Sequence, residues 1–389
     1  MATDHIERLA RLHAEMTAWR RGLHAQPEIA FREERTSELV AGLLAGFGLE
    51  VHRGLAGTGV VGTLRRGGGH RSIALRADMD GLPVAETTGL PYRSQVPGAM
   101  HACGHDGHMA MLLGAARELA QSGRFDGVAH FVFQPAEENE GGGRVMVEQG
   151  LFDRFPADAV FGLHNWPGLD AGHFAVRPGP VMAALDLFEV RLRGRGAHGA
   201  MPHLAIDPVV AAAEMIGAFQ TIVSRNVSPV EAAVVSVTQV QGGDTWNVIP
   251  EEVRLRGGAR HFRPDVGRVV EEGIRRIAAG VAGAFGATVE IDVQRRYPAT
   301  VNEPDATAIA ARVAAEVAGA GGMLPDVPPS MASEDFAFML QARPGCYAWL
   351  GNGPADGGRA LHSPRYDFND AILPVGAAYW VRLVETILS

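Results

Sequence analysis

Six residues able to hold a metal ion or move a proton lie just beyond short apolar runs of the chain. Cys103 and His105 stand two apart in His101-Ala102-Cys103-Gly104-His105-Asp106-Gly107-His108. Glu137 and Glu138 follow the run that closes in Phe133-Gln134-Pro135, and His164 follows another. His362 sits in Ala360-Leu361-His362-Ser363-Pro364. A thiolate, imidazoles and a carboxylate together suit zinc, and also manganese, cobalt or nickel. On an extended segment, Cys103 and His105 point to one side and can share a centre. Taken singly, each reads as a satisfied histidine, a small buried thiol or a solvated acidic turn. Recurrence at successive strand ends favours a common site, because open parallel sheets bind ligands beyond the carboxyl ends of their strands. Adjacent glutamates at a strand end face different ways. One can therefore ligate while the other takes a proton from an attacking water and passes it to a leaving amine.

The elements that would position these residues change character along the chain. Ser72 to Ala77, ending in Asp78, Gly127 to Phe133, and Ala159 to Leu163 are short apolar runs, and Ala110 to Ala120 reads as a helix. This alternation predicts a mostly parallel sheet covered on both faces. From Leu185 the pattern becomes alternating strand, helix capped by Asp207-Pro208, two strands (Ala232 to Gln241 and Glu252 to Phe262), a helix from Pro264 to about Ala282, and a strand from Ala287 to Arg295. That β-α-β-β-α-β order is ferredoxin-like. Residues 185–296 are therefore expected as an inserted domain, with 1–184 and 297–389 forming the catalytic α/β domain. The returning segment should add at least one strand, Cys346 to Leu350, with Cys346 in the core.

Over 389 residues, 47% hydrophobic and 20% charged composition is that of a globular chain long enough for two domains. A formal net charge of −9 with scattered Lys and Arg argues against nucleic acid as a partner. No apolar stretch is long enough for a membrane span. Two cysteines exclude a disulfide framework, and Met1 to Ala30, carrying Asp4, Glu7 and Glu15, reads as an amphipathic helix and not a secretion signal. A cytoplasmic location is the expectation.

Several segments resemble the aminoacylase/carboxypeptidase family of metallo-amidohydrolases, in particular its hippurate hydrolase and indole-3-acetyl-amino acid hydrolase branch. They are Arg76-Ala77-Asp78-Met79-Asp80-Gly81-Leu82-Pro83, His101 to His108, Phe133 to Glu138, Leu163-His164-Asn165-Trp166-Pro167-Gly168, Gly196-Ala197-His198, Trp246 to Pro250, Ser333-Glu334-Asp335-Phe336 and Leu361-His362. They occur in family order over nearly the whole chain. The resemblance implies a zinc-aminopeptidase-like catalytic domain and an inserted lid that often mediates dimerisation. It implies that Cys103, His105, Glu138, His164 and His362 bind two divalent metals and that Glu137 is the general acid/base. It further implies that His198, Asn247 and Arg260 in the lid meet substrate, with His198 acting across a homodimer interface. Arg76 stands where many peptidase relatives have a metal-binding histidine, which favours the amidohydrolase branch. Asn139-Glu140 replaces a more usual glycine pair. Asp78 is read either as orienting a ligand or as a turn residue, and His101 and His108 as support or packing.

The expected reaction is metal-dependent hydrolysis of an N-acyl amino acid to a carboxylic acid and a free amino acid. A dipeptidase or N-carbamoyl amino acid hydrolase of the same fold is the first alternative, and a non-catalytic metal-binding scaffold the second.

Overall fold

A computed structural model describes residues 2–138 and 140–389, with side chains from Glu7 onward; Met1, Asn139 and the side chain of Asp4 lie outside the described residues. The chain divides into two compact units: Met1–Val181, Thr300–Pro328 and Asp335–Ser389 form the first, and Met182–Ala299 with Pro329–Glu334 the second. Pro329–Glu334, which the sequence pattern leaves with the returning segment, packs with the second unit.

The first unit is built on an eight-stranded sheet. Its strands are β1 (Glu50–Leu55), β2 (Gly59–Arg66), β3 (Ser72–Asp78), β4 (Gly127–Gln134), β5 (Ala159–Pro167), β6 (Phe174–Ala175), β7 (Met323–Leu324) and β8 (Gly345–Gly353), in the spatial order β1-β2-β4-β3-β5-β8-β6-β7. The central strands β4, β3, β5 and β8 run parallel to one another. Antiparallel pairing of β1 with β2 and of β2 with β4 closes one side. Every residue of β3, β4 and β8 is buried. This is why these strands read as mainly apolar runs without alternation: a strand covered on both faces has no solvent side to alternate with. Helix His105–Ser122 and helix Leu373–Ile387 contribute Met109, Leu112, Tyr379 and Trp380 to the same core. At the N-terminus two helices, Ala2–Arg11 and His13–His24, take the place of the single expected one.

The second unit has the β-α-β-β-α-β order expected. Its antiparallel sheet runs Ala233–Gln241, Glu252–His261, Ala184–Arg193, Thr288–Tyr297 across its width. Burial alternates along Ala184–Arg193, whose inward residues Phe188, Val190 and Leu192 pack with Met215, Phe219, Val270 and Ile274 from helices Pro208–Thr221 and Pro264–Ala284. Asp207 caps the first of these helices, accepting from the Val209 and Val210 amides, with Pro208 at the position where a missing N–H costs nothing.

Among the described residues, no helix is long and apolar enough to cross a membrane.

Candidate metal centre

Around the carboxyl ends of β3, β4 and β5 the first unit gathers all six of the chemically competent residues. Cys103, His105 and His164 place one ligand atom each within 4.8 Å of one another, as do Cys103, Glu138 and His362, and His105, Glu137 and Glu138. Cys103 belongs to two of these groups and His105 to two, so they form one continuous cluster.

The backbone that sets up Cys103 and His105 is not the extended segment expected. Gly104 is left-handed (φ 94°), and His105 opens the helix His105–Ser122. A side chain at 104 would strike Asn165 Nδ2 at 2.3 Å and the Tyr366 hydroxyl at 2.4 Å, so glycine is required on two grounds. His164 lies within β5 and does not follow it. Two other residues near the cluster hold left-handed backbone without being glycine, Ala136 (φ 54°) and His362 (φ 65°). The His362 amide donates to the Ala102 carbonyl at 2.8 Å, which ties the late loop to the Cys103 segment.

Hydrogen bonds fix which nitrogen each histidine offers. The Nδ1–H of His105 donates to the Asp80 carbonyl at 2.9 Å, and Nε2 is buried with no hydrogen bond. His164 donates from Nδ1 to the Asn165 carbonyl at 2.6 Å, leaving Nε2 3.4 Å from the Cys103 sulfur. Both therefore turn Nε2 into the cluster, the arrangement found when a partner on the far nitrogen orients a metal-binding imidazole. Glu138 Oε1 is also buried without a hydrogen bond and lies 3.2 Å from His362 Nε2. Burial, followed by the Glu138, Glu137 and Asp78 carboxylates, pushes the Cys103 thiol well above its ordinary range. Burial, with a smaller contribution from His108, holds His164 well below its ordinary value, hence neutral. Burial lowers His105 too, but Asp78 and Asp80 outweigh it and raise the imidazole to about 10. A buried concentration of negative charge with unpaired donor atoms converging on it is what a divalent cation satisfies, and a cation reverses the shift on the thiol. The residues present fit such an ion.

His108 and Asp78 also lie within ligand distance of His105, but both are engaged in hydrogen bonds. His108 Nδ1–H donates to Asp78 Oδ1 at 2.6 Å, and its Nε2 accepts from the Asn165 amide at 2.9 Å. The other Asp78 oxygen accepts from Arg76 Nη1 at 2.8 Å. Asp78 thus ends β3 with one oxygen on His108 and the other on Arg76. His101 is buried with neither ring nitrogen hydrogen-bonded, and Cys346 is core.

Asp80, Asn165, Tyr366, Gln134 and Asp335 complete the framework, and residue types alone did not single them out. Asp80 Oδ2 accepts from the Glu138 amide at 3.0 Å. Asn165 Nδ2 donates to the Cys103 carbonyl at 2.6 Å, and its Oδ1 accepts from Tyr366 at 2.6 Å. Arg76, wholly buried, donates to Gln134 Oε1 at 2.8 Å and to Asp335 Oδ1 at 3.0 Å, and the Asp335 amide donates to Glu137 Oε1 at 3.3 Å. Arg76→Met should therefore take the shared guanidinium away from the buried carboxylates of Asp78 and Asp335 and destabilise the protein by about 3–5 kcal/mol. Chemical denaturation of the variant checks this, and an unchanged midpoint would show the arginine to be dispensable.

Within the second unit, His198 and Asn247 are neighbours. Ala197–His198 pairs with Val248–Ile249, and the Gly199 amide donates to the Asn247 carbonyl at 2.7 Å. His198 Nδ1 accepts from the Ala200 amide at 3.1 Å, so the exposed ring carries its proton on Nε2. Arg260 is half-buried and donates from Nη1 to the Met331 carbonyl at 3.0 Å and Ser333 Oγ at 2.6 Å. It forms no ion pair with an acid among the described residues, and burial lowers its pKa.

Residues 74–386 match the sequence profile of peptidase family M20/M25/M40. The chain is 40% identical to a hippurate hydrolase of Campylobacter jejuni, over 97% of this chain and 98% of that one. It is 36% identical to an N-acetylcysteine deacetylase of Bacillus subtilis, over 97% of each. A solved Bacillus subtilis structure, a dinuclear metal binding peptidase from the M20 family, superposes with a TM-score of 0.85 at 34% identity, covering 97% of this chain and 99% of that one. With its fold, its gathered donor atoms and full-length relatives in agreement, the chain belongs to peptidase family M20/M25/M40.

Proposed function

We propose that Cys103, His105, Glu138, His164 and His362 hold two divalent cations (zinc, manganese, cobalt or nickel) and that Glu137 moves the proton in hydrolysis of an N-acyl amino acid. The chain is a metal-dependent amidohydrolase, and the products are a carboxylic acid and a free amino acid. The convergence of His105 Nε2 and Glu138 Oε1, both buried without a hydrogen bond, and of His164 Nε2, 3.4 Å from the sulfur, on Cys103 is the observation that carries the reading. Hippurate and N-acetylcysteine, named in the two relatives, are both N-acyl amino acids. The test is a hydrolysis screen of N-acetyl, N-benzoyl and indole-acetyl amino acids after metal reconstitution, with dipeptides and N-carbamoyl amino acids as competing arms. Turnover confined to either competing arm would overturn the substrate assignment, and none at all, with metal bound, would favour a scaffold.

Divalent ions bound in this cluster supply Lewis-acid polarisation of the acyl carbonyl and lower the pKa of a water held there. A Glu137 carboxylate oxygen takes the proton of the attacking water and delivers it to the amide nitrogen as the C–N bond breaks. The Asp335 amide, bonded to Glu137 Oε1, keeps that carboxylate from rotating away. His198, with its proton on Nε2, is suited to donate to a developing oxyanion. Asn247, whose Oδ1 accepts from Thr245 at 3.4 Å, has its amide protons to offer, and Arg260 is a half-buried cation with no acidic partner among the described residues. We assign these two to the free carboxylate of the amino acid.

Arg260→Ala should raise KM sharply for the free acid, by a loss of roughly 2–5 kcal/mol, and should add little when the substrate carboxylate is blocked as an amide or ester. Equal effects on both substrates would remove Arg260 from that role.

The proposal extends to a homodimer in which His198 serves the partner's site. Ala233–Gln241 and Thr288–Tyr297 leave two open edges on the second unit's sheet, and an open edge can pair with its twin. Mixing inactive His198→Ala with inactive Glu137→Gln chains should then restore about a quarter of wild-type activity, since random assortment makes half the dimers mixed and each has one complete site. No recovery after verified subunit exchange would return His198 to its own chain. A cytoplasmic setting fits two cysteines that are both unpaired.

A further inference from the structure

Glu33 lies about a hundred residues before the catalytic glutamates and has no accessible surface. Its carboxylate accepts three hydrogen bonds. The Phe31 amide (3.1 Å) and the Ala136 amide (3.0 Å) donate to Oε1, and the Thr58 hydroxyl (2.7 Å) donates to Oε2. Two of these donors belong to residues held in left-handed backbone without being glycine, Phe31 at φ 61° and Ala136 at φ 54°. Such a conformation persists only where surrounding structure over-determines it. Ala136 immediately precedes Glu137, and its carbonyl accepts from the Gly142 amide at 2.9 Å, so the turn is gripped at both of its peptide groups. Burial pushes the Glu33 carboxyl upward, opposed by its Thr58 and backbone bonds.

We propose that Glu33 is a positioning residue for the reaction: its carboxylate clamps Ala136 in the left-handed conformation and so sets the direction in which Glu137 and Glu138 leave the end of β4. The inference rests on the roles given above to Glu137 and Glu138. A residue that merely tied the N-terminal segment to the sheet would change stability and leave the chemical step alone. A clamp on the turn changes kcat while substrate affinity and metal occupancy stay in place.

The test uses the metal-loaded full chain with hippurate, measuring kcat, KM, metal content and thermal midpoint. In Glu33→Gln the side-chain carbonyl can take both backbone donors while the amide donates to Thr58, so kcat should stay within about threefold of wild type. Glu33→Leu removes every acceptor at similar volume. It should lower kcat roughly 10- to 100-fold with KM and metal content near wild type. Adding Ala136→Gly should return a good part of that loss, because glycine takes this backbone without strain. A Glu33→Leu protein with wild-type kcat, a loss that follows metal loss, or a loss that Ala136→Gly does not relieve would each overturn the proposal. If Glu33→Leu does not fold, Thr58→Val gives the same reading: a several-fold lower kcat at unchanged KM supports the clamp, and unchanged kcat overturns it. Full activity in Glu137→Gln would sink the acid/base assignment itself. With that variant inactive, a fully active Glu33→Leu sinks the positioning role alone.

Discussion

Glu137→Gln should take up divalent metal as the wild type does and turn over N-acyl amino acids at least ~10³-fold more slowly. The amide is isosteric and still accepts the Asp335 N–H bond, so the turn stays put. What disappears is the ability to take a proton from water and give it to the leaving nitrogen. Glu138→Gln should do the opposite and lose metal, because Glu138 Oε1 is the buried oxygen with no hydrogen bond and His362 Nε2 beside it. Metal analysis alongside single-turnover kinetics separates the two. Loss of metal in Glu137→Gln with retention in Glu138→Gln would mean that the pair is assigned in reverse.

Cys103→Ala should weaken metal binding by at least ~100-fold and remove most activity, since Cys103 is the atom shared by two of the donor groups. Its thiol is held protonated by burial and by three neighbouring carboxylates. Metal uptake should accordingly release a proton and strengthen as pH rises, because the proton lost from sulfur is the one the cation displaces. Thiol oxidants should release metal from the wild type and not from the variant's residual sites. A fully metallated, active Cys103→Ala protein would return this cysteine to the packing core.

The catalytic sheet was legible because β3, β4 and β8 are buried on both faces and show it as apolar runs, and the inserted unit because Ala184–Arg193 alternates as a one-sided strand does. That Cys103, His105, Glu137, Glu138, His164 and His362 could hold a metal or move a proton is read from type and position, and the structure brings the six together. Their geometry was not legible. Nothing in His101 to His108 announces that Gly104 turns left-handed and that His105 starts a helix, since that depends on the space left by Asn165 and Tyr366. The polar framework was harder still. Arg76 meets Asp335 across 259 positions and Ala136 meets Glu33 across 103. A charged residue inside an apolar run, as Arg76 is in β3, was the one local sign that a buried partner existed. Pro329–Glu334 escaped notice for a similar reason: a short segment without periodicity reveals its partner only once Arg260 reaches Met331 and Ser333.

The strand order of the first unit also bears on how the chain is made. β8, one of the four parallel central strands, sits between β5 and β6 yet is drawn from Gly345–Gly353, long after β5 in the chain. The second unit's four strands all lie between Ala184 and Tyr297, so its sheet can close while the ribosome is still working. Until residue 353 has emerged, β5 keeps one long apolar edge unpaired, and such edges recruit strands from other chains. The nascent protein is therefore most exposed to misassembly between the emergence of the second unit's last strand and that of β8, with one sheet complete and the other open, and a chaperone that shields hydrophobic strand edges would have its greatest effect over that interval.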